Sequence, residues 1–116
     1  MTSSQQQSLP RSIPQMLFNA AQQHAGRTAI EEHGECTDYS ELPRLALAVT
    51  RSLMALGIGK GDRVAIWAPN GRDWIIAALG IHCAGAVMVP INTRMKGSEA
   101  ADILHRSGTR LLFVQP

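Results

Sequence analysis

The chain has 116 residues, 45% of them hydrophobic, and a formal net charge of +2. That length allows one domain or part of one, and that composition excludes wholesale disorder. Its eleven basic residues are scattered, which excludes the clustered footprint of a nucleic-acid binder, so no nucleic acid is expected as a partner.

Residues 1–11, with their Ser and Gln, read as a flexible tail without the basic and apolar blocks of a secretory leader. Residues 12–116 read as one α/β unit. Ser12 is placed to cap a helix that tolerates Pro14 in its first turn and carries Met16, Leu17, Ala20 and Ala21 on one apolar face. Residues 28–32 and 35–39 flank His33-Gly34 as a short hairpin. Ser40 is the next expected cap. Leu42, Leu45, Ala46, Val49, Leu53 and Leu56 follow at steps of three and four, the stripe of a helix that Gly57 ends.

Residues 63–68 alternate little, as expected of a strand covered on both faces. Asn70 is the expected N-cap of a helix over 71–83 that is apolar nearly all round. Residues 86–91 form the next buried strand. Ser98 is expected to cap a helix with Glu99 and Asp102 near its start and His105 and Arg106 near its end, in accord with the helix dipole. Gly108 stops it before a last strand over 110–114. Such alternation predicts an α/β fold, a mostly parallel sheet flanked by helices with a short N-terminal hairpin. No helix follows the last strand, so a sheet edge is left uncovered and open to self-association.

Few groups offer chemistry. Gly57-Ile58-Gly59-Lys60-Gly61-Asp62 fails both the P-loop and the dinucleotide fingerprint and leads from helix to strand, so it reads as a tight turn. Ala68-Pro69-Asn70-Gly71 does join strand to helix, where an anion or a plain cap would fit. After the strand over 86–91, Asn92 and Arg94 are the candidates for substrate binding. Arg94 and Lys96 suit a phosphate or carboxylate, or else ordinary solvated charge. The four histidines make no ligand pair at metal spacing, and His82 and Cys83, adjacent on a helix, point about 100° apart. No catalytic, cofactor-binding or metal residue is therefore assigned. Cys36 and Cys83 form no C-x-x-C pair and read as free thiols of a cytoplasmic protein. The longest apolar run, from Trp74 to Ile81, is far short of the ~20 residues of a transmembrane helix.

The ordered set Tyr39-Ser40-Glu41-Leu42, Leu56-Gly57-Ile58, Lys60-Gly61-Asp62-Arg63-Val64-Ala65, Pro69-Asn70, Ala84-Gly85-Ala86, Val89-Pro90-Ile91-Asn92-Thr93-Arg94 and Asp102-Ile103-Leu104 resembles the start of acyl-CoA synthetases of the adenylate-forming superfamily. Ala65-Ile66-Trp67-Ala68-Pro69-Asn70, Ile81-His82 and Ala100-Ala101-Asp102-Ile103-Leu104 are most similar to the bacterial fatty-acid–CoA ligases, and among those to the propanoate–CoA ligases of steroid-ring degradation. The resemblance implies the N-terminal part of a larger domain. It also implies, for the whole enzyme, a carboxylic-acid substrate, ATP, Mg²⁺ and CoA. The family's Ser/Thr/Gly-rich loop, its acidic metal and ribose motif and its C-terminal lysine have no match here. None of those cofactors is expected to bind this chain tightly. Two other classes remain: a non-catalytic α/β interaction or regulatory module, and half of a dinucleotide-binding oxidoreductase, which lacks its glycine fingerprint.

Overall fold

In the computed structural model, residues 9–115 are described. The expected tail falls mostly outside them. Helix α1 (Ile13–Gln23) begins where predicted, with the Ser12 hydroxyl accepting the Gln15 N–H at 3.1 Å. Its inward residue is Leu17; Met16, expected on the same face, is 49% exposed. Strands β1 (Thr28–Glu32) and β2 (Glu35–Asp38) pair antiparallel around His33-Gly34, both of which have positive φ.

Helix α2 (Glu41–Ala55) starts after Ser40, but Ser40 does not cap it. Asp38 does: its Oδ1 accepts from Ser40 N at 2.9 Å, Ser40 Oγ at 2.6 Å and Glu41 N at 2.8 Å. The hydrogen bond from the Ser40 side chain, with those from the Glu41 and Ser40 backbones, lowers the Asp38 pKa. A depressed folded-state pKa adds stability that is complete above the unfolded value and lost as pH falls through the folded one. Asp38→Asn is therefore expected to flatten the acid limb of stability below the usual carboxylate range, as read by urea midpoints across pH. An unchanged slope would show that this cap does not matter.

The stripe of α2 buries Leu42, Ala46 and Leu53 as expected, whereas Leu56, just past the helix end, is 66% exposed. The following turn uses Gly57 and Gly61 at φ near +85°. Asp62 closes it by accepting the Gly59 N–H at 2.8 Å and pairing with Arg110 Nη1 at 3.0 Å. That loop is structural, as its sequence predicts.

Strands β3 (Arg63–Trp67), β4 (Val87–Pro90) and β5 (Leu111–Val114) make a parallel sheet in the order β4-β3-β5. Val64, Ala65 and Ile66 of the central strand are all buried, which accounts for the missing alternation. Val64 and Ile66 meet α2 and α3 (Arg72–Cys83) through Leu53, Ala77, Ala78 and Ile81. Ala65 meets Ala100 of α4 (Gly97–Ser107) on the opposite face. Helix α4 is capped at Lys96, whose N–H donates to the Glu99 carboxylate at 2.9 Å. Ser98, expected as the cap, lies one residue inside the helix. A carboxylate at N3 reaches back farther than a serine hydroxyl, which sets the earlier start.

Candidate functional site

Helix α3, which follows β3, and helix α4, which follows β4, cover opposite faces of the sheet. The loops leaving β3 and β4 thus part at the carboxyl ends of adjacent strands, the place where open α/β sheets bind ligands. Two openings lie there. One, of about 550 Å³, runs between α3 and β5, with Ile66, Trp74, Ala77 and Phe113 as apolar walls and His33 and Glu32 of the hairpin at its rim. The other, of about 520 Å³, lies between the β3 and β4 ends and is lined by Pro69, Asn70, Pro90, Asn92 and Thr93. Trp74 borders both.

The structure resolves the two readings of the turn over 68–71. Asn70 is exposed and does not cap α3; the N-cap is Gly71, and the acceptor comes from forty residues earlier. Glu32 Oε1 accepts the Arg72 N–H at 3.0 Å. A Cβ on Gly71 would lie 2.6 Å from that oxygen, so any other residue here would push the Glu32 carboxylate aside. The Arg72 side chain holds the hairpin in turn, its Nε donating to Oγ1 of buried Thr37 at 2.8 Å. The one helix N-terminus at a strand-to-helix turn of β3 is therefore filled by a resident carboxylate, which would repel a phosphate. No local pattern in the sequence points to Glu32 in this role.

Of the predicted site residues, Asn92 lines the second opening and Arg94 lies outside its wall. Asn92 Oδ1 accepts the Arg94 N–H at 2.9 Å, which folds the loop sharply away from β4. Arg94 and Lys96 are exposed, and among the described residues no ion pair reaches either cation. The structure thus places Asn92 at the crevice with two free positive charges just beyond it. It adds Glu32, Arg72 and Thr37, which the sequence did not single out.

Burial raises the pKa of the Cys83 thiol, so this half-buried side chain is a poor nucleophile at neutral pH. Among the described residues, no group of three His, Cys, Asp or Glu side chains is arranged to hold a metal ion. No helix among them is long and apolar enough to cross a membrane.

Comparison with known proteins fits this geometry. The chain is 41% identical over 103 residues to the 3-[(3aS,4S,7aS)-7a-methyl-1,5-dioxo-octahydro-1H-inden-4-yl]propanoyl:CoA ligase of Mycobacterium tuberculosis, matching 89% of the chain and 20% of the ligase. The solved N-terminal domain of FACL13 from Mycobacterium tuberculosis superposes with a TM-score of 0.86 at 34% identity, over 90% of this chain and 27% of that one. NpsA-ThdA, a fused adenylation–PCP di-domain from Klebsiella oxytoca, superposes with a TM-score of 0.87 at 26% identity, over 94% of this chain and 21% of that one. The chain thus spans about a fifth of the length of the curated ligase it matches. The sequence profile of AMP-binding enzymes matches residues 17–116. This chain, with its parallel three-stranded sheet and ordered turn motifs, belongs to the AMP-binding enzyme family.

Proposed function

We propose that the chain is the N-terminal α/β portion of an ATP-dependent acyl-CoA synthetase that converts a carboxylate, ATP and CoA to acyl-CoA, AMP and pyrophosphate. It acts as scaffold, and the reactive groups come from polypeptide outside residues 1–116. Family membership supports the reaction class. The observation that carries the scaffold role is Glu32, whose carboxylate occupies the helix N-terminus where a phosphate would otherwise sit. Among the described residues, the β3-to-α3 turn offers no open nest of N–H donors and no group of carboxylates is arranged to hold a metal ion, which supports placing the ATP and Mg²⁺ site in polypeptide outside this chain. No phosphoryl-transfer step is derived through them.

Asn92 and Arg94 are the residues of this chain that support contact with an anionic group of the substrates at the edge of the crevice. The acid is a fused-ring propanoate, the class named for the Mycobacterium tuberculosis ligase, or a fatty acid, as the resemblance to fatty-acid–CoA ligases implies, and the reaction belongs to the cytoplasm, where ATP and CoA are at hand. The purified chain is expected to catalyse no ATP–pyrophosphate exchange with any carboxylic acid; exchange above the buffer background would refute the scaffold role. Spliced in place of the matching region of the Mycobacterium tuberculosis ligase, it is expected to support exchange. An inert but folded hybrid would count against the reaction class.

A second reading is a non-catalytic module that self-associates. The outer edges of β4 and β5 are unpaired among the described residues, and Val87 and Val114 at those edges are 47% and 56% exposed. Light scattering over a concentration series tests it: a monodisperse monomer throughout rules it out.

A further inference from the structure

The turn over 68–71 is the wall between the two openings, for Ala68, Pro69 and Asn70 line both. Little inside the turn holds it. Pro69 has no N–H to donate, and among the described residues the Asn70 side chain makes no hydrogen bond. Its far end is gripped from the hairpin instead. Glu32, the last residue of β1, accepts the Arg72 N–H at 3.0 Å, and Arg72 in return donates its Nε to Thr37 of β2 at 2.8 Å. One residue of α3 thus takes hold of both hairpin strands.

The hairpin has other means of docking. Ala29 and Ile30 pack on the cluster of Leu17, Leu42, Ala46 and Ile76. The Tyr39 N–H closes the base of the hairpin on the Arg27 carbonyl at 2.9 Å. What the clasp adds lies at the other end, where Glu32 and His33 reach the turn. Gly71 keeps that end free for the carboxylate. The three nearest atoms that a Cβ there would meet all belong to Glu32. Gly71 has φ 168°, extended backbone that any residue adopts, so what glycine supplies is the space for Glu32.

We propose that Glu32 is a positioning residue: through the start of α3 it fixes the Pro69-Asn70 wall of the crevice, and so sets how tightly the full-length enzyme holds a substrate there. The inference rests on the proposed function above and adds a residue that governs affinity from the hairpin. The two walls of the crevice are held by unlike devices. Asn92 folds its own loop by accepting the Arg94 N–H, whereas the opposite wall depends on a carboxylate forty residues before Arg72. A wall that touches the substrate alike before and during reaction changes KM and leaves kcat.

The test uses the hybrid ligase described above. Glu32→Ala is expected to raise a KM, that of the acid or that of ATP, by about tenfold, with kcat within about threefold of the parent. Glu32→Gln keeps an oxygen for the Arg72 N–H and is expected to stay within about threefold in both constants. Gly71→Ala retains Glu32 but pushes its carboxylate aside, so it is expected to reproduce Glu32→Ala. The double variant should be no worse than either single one, because both break the same contact. Unchanged KM values in Glu32→Ala overturn the inference, as does a fall in kcat alone, a Gln variant as impaired as the Ala variant, or additive losses in the double variant.

A second measurement needs no catalysis. In the chain carrying Trp67→Phe, Trp74 is the single tryptophan, and it borders both openings. Its quenching by acrylamide is expected to increase in Glu32→Ala and in Gly71→Ala, and to stay at the parent level in Glu32→Gln. Equal quenching in all four chains overturns the inference. The expected quenching pattern together with a folded hybrid that lacks pyrophosphate exchange even with Glu32 in place would sink the reaction class and leave the positioning of the turn by Glu32 standing.

Discussion

Replacing Gly80 by alanine is expected to destabilise the chain, although alanine is the better helix former. Propensity alone predicts a gain of about 1 kcal/mol in the middle of α3. The crossing of α2 and α3 reverses the sign. A Cβ at Gly80 would lie 2.5 Å from both Cβ and Cγ1 of Val49 and 2.9 Å from the Ala46 carbonyl oxygen, and two of those three atoms sit on or next to rigid backbone. The same contact carries the Thr50 hydroxyl, 2.8 Å from the Gly80 carbonyl oxygen and 3.1 Å from that of Ala46. Thr50 is buried and depends on the close approach for its partner. Forcing the helices apart should leave a net loss of about 2 kcal/mol or more, read as a fall in the urea midpoint. Val49→Gly in the same chain should restore part of the loss and not all, since the Ala46 carbonyl stays in place. A Gly80→Ala chain as stable as the parent would show that the two helices do not pack this closely.

The second large effect is expected at Ile81, which is fully buried among Leu53, Val64 and Ile66 where α2, α3 and β3 meet. Ile81→Ala removes three carbons from a site walled by a helix and a strand that cannot close in, so it should cost about 3–4 kcal/mol. A small domain has only about 5–15 kcal/mol in all, so this one change would remove roughly a fifth to four-fifths of the chain's stability. Met54→Ala is the control. Met54 follows buried Leu53 in sequence but is 62% exposed, and its loss should stay within about 0.5 kcal/mol. Equal midpoints for the two variants would mean that the core lies elsewhere.

Both effects bear on the proposed role. The α2–α3–β3 junction holds β3, and the end of β3 sets the turn over 68–71 that separates the two openings. The hairpin is tied to the same turn through Glu32 and Arg72. A scaffold that contributes no reactive group still has to hold its edges still, because a displacement of about 1 Å in a supporting element is costly at a site completed by other parts of the chain.

Much of this was legible in the sequence. The α/β alternation, the glycine turns at Gly57 and Gly108, the doubly covered β3 and the family resemblance all follow from local periodicity, turn chemistry and ordered motifs. Periodicity states which residues face inward; it does not state what they meet. The order β4-β3-β5, and with it the crevice beside Asn92, was set by where each crossover returned. The caps show the same limit. Asn70 and Ser98 were natural local choices, but α3 takes its acceptor from Glu32 and α4 from the carboxylate inside its own first turn. Gly80, silent in the sequence, is required by Val49 some thirty residues away. The sequence by itself determined the elements, their faces and the family to which they belong. Only the tertiary structure decided the partners, because a contact between residues thirty or forty apart depends on how the chain returns and leaves no mark on either local pattern.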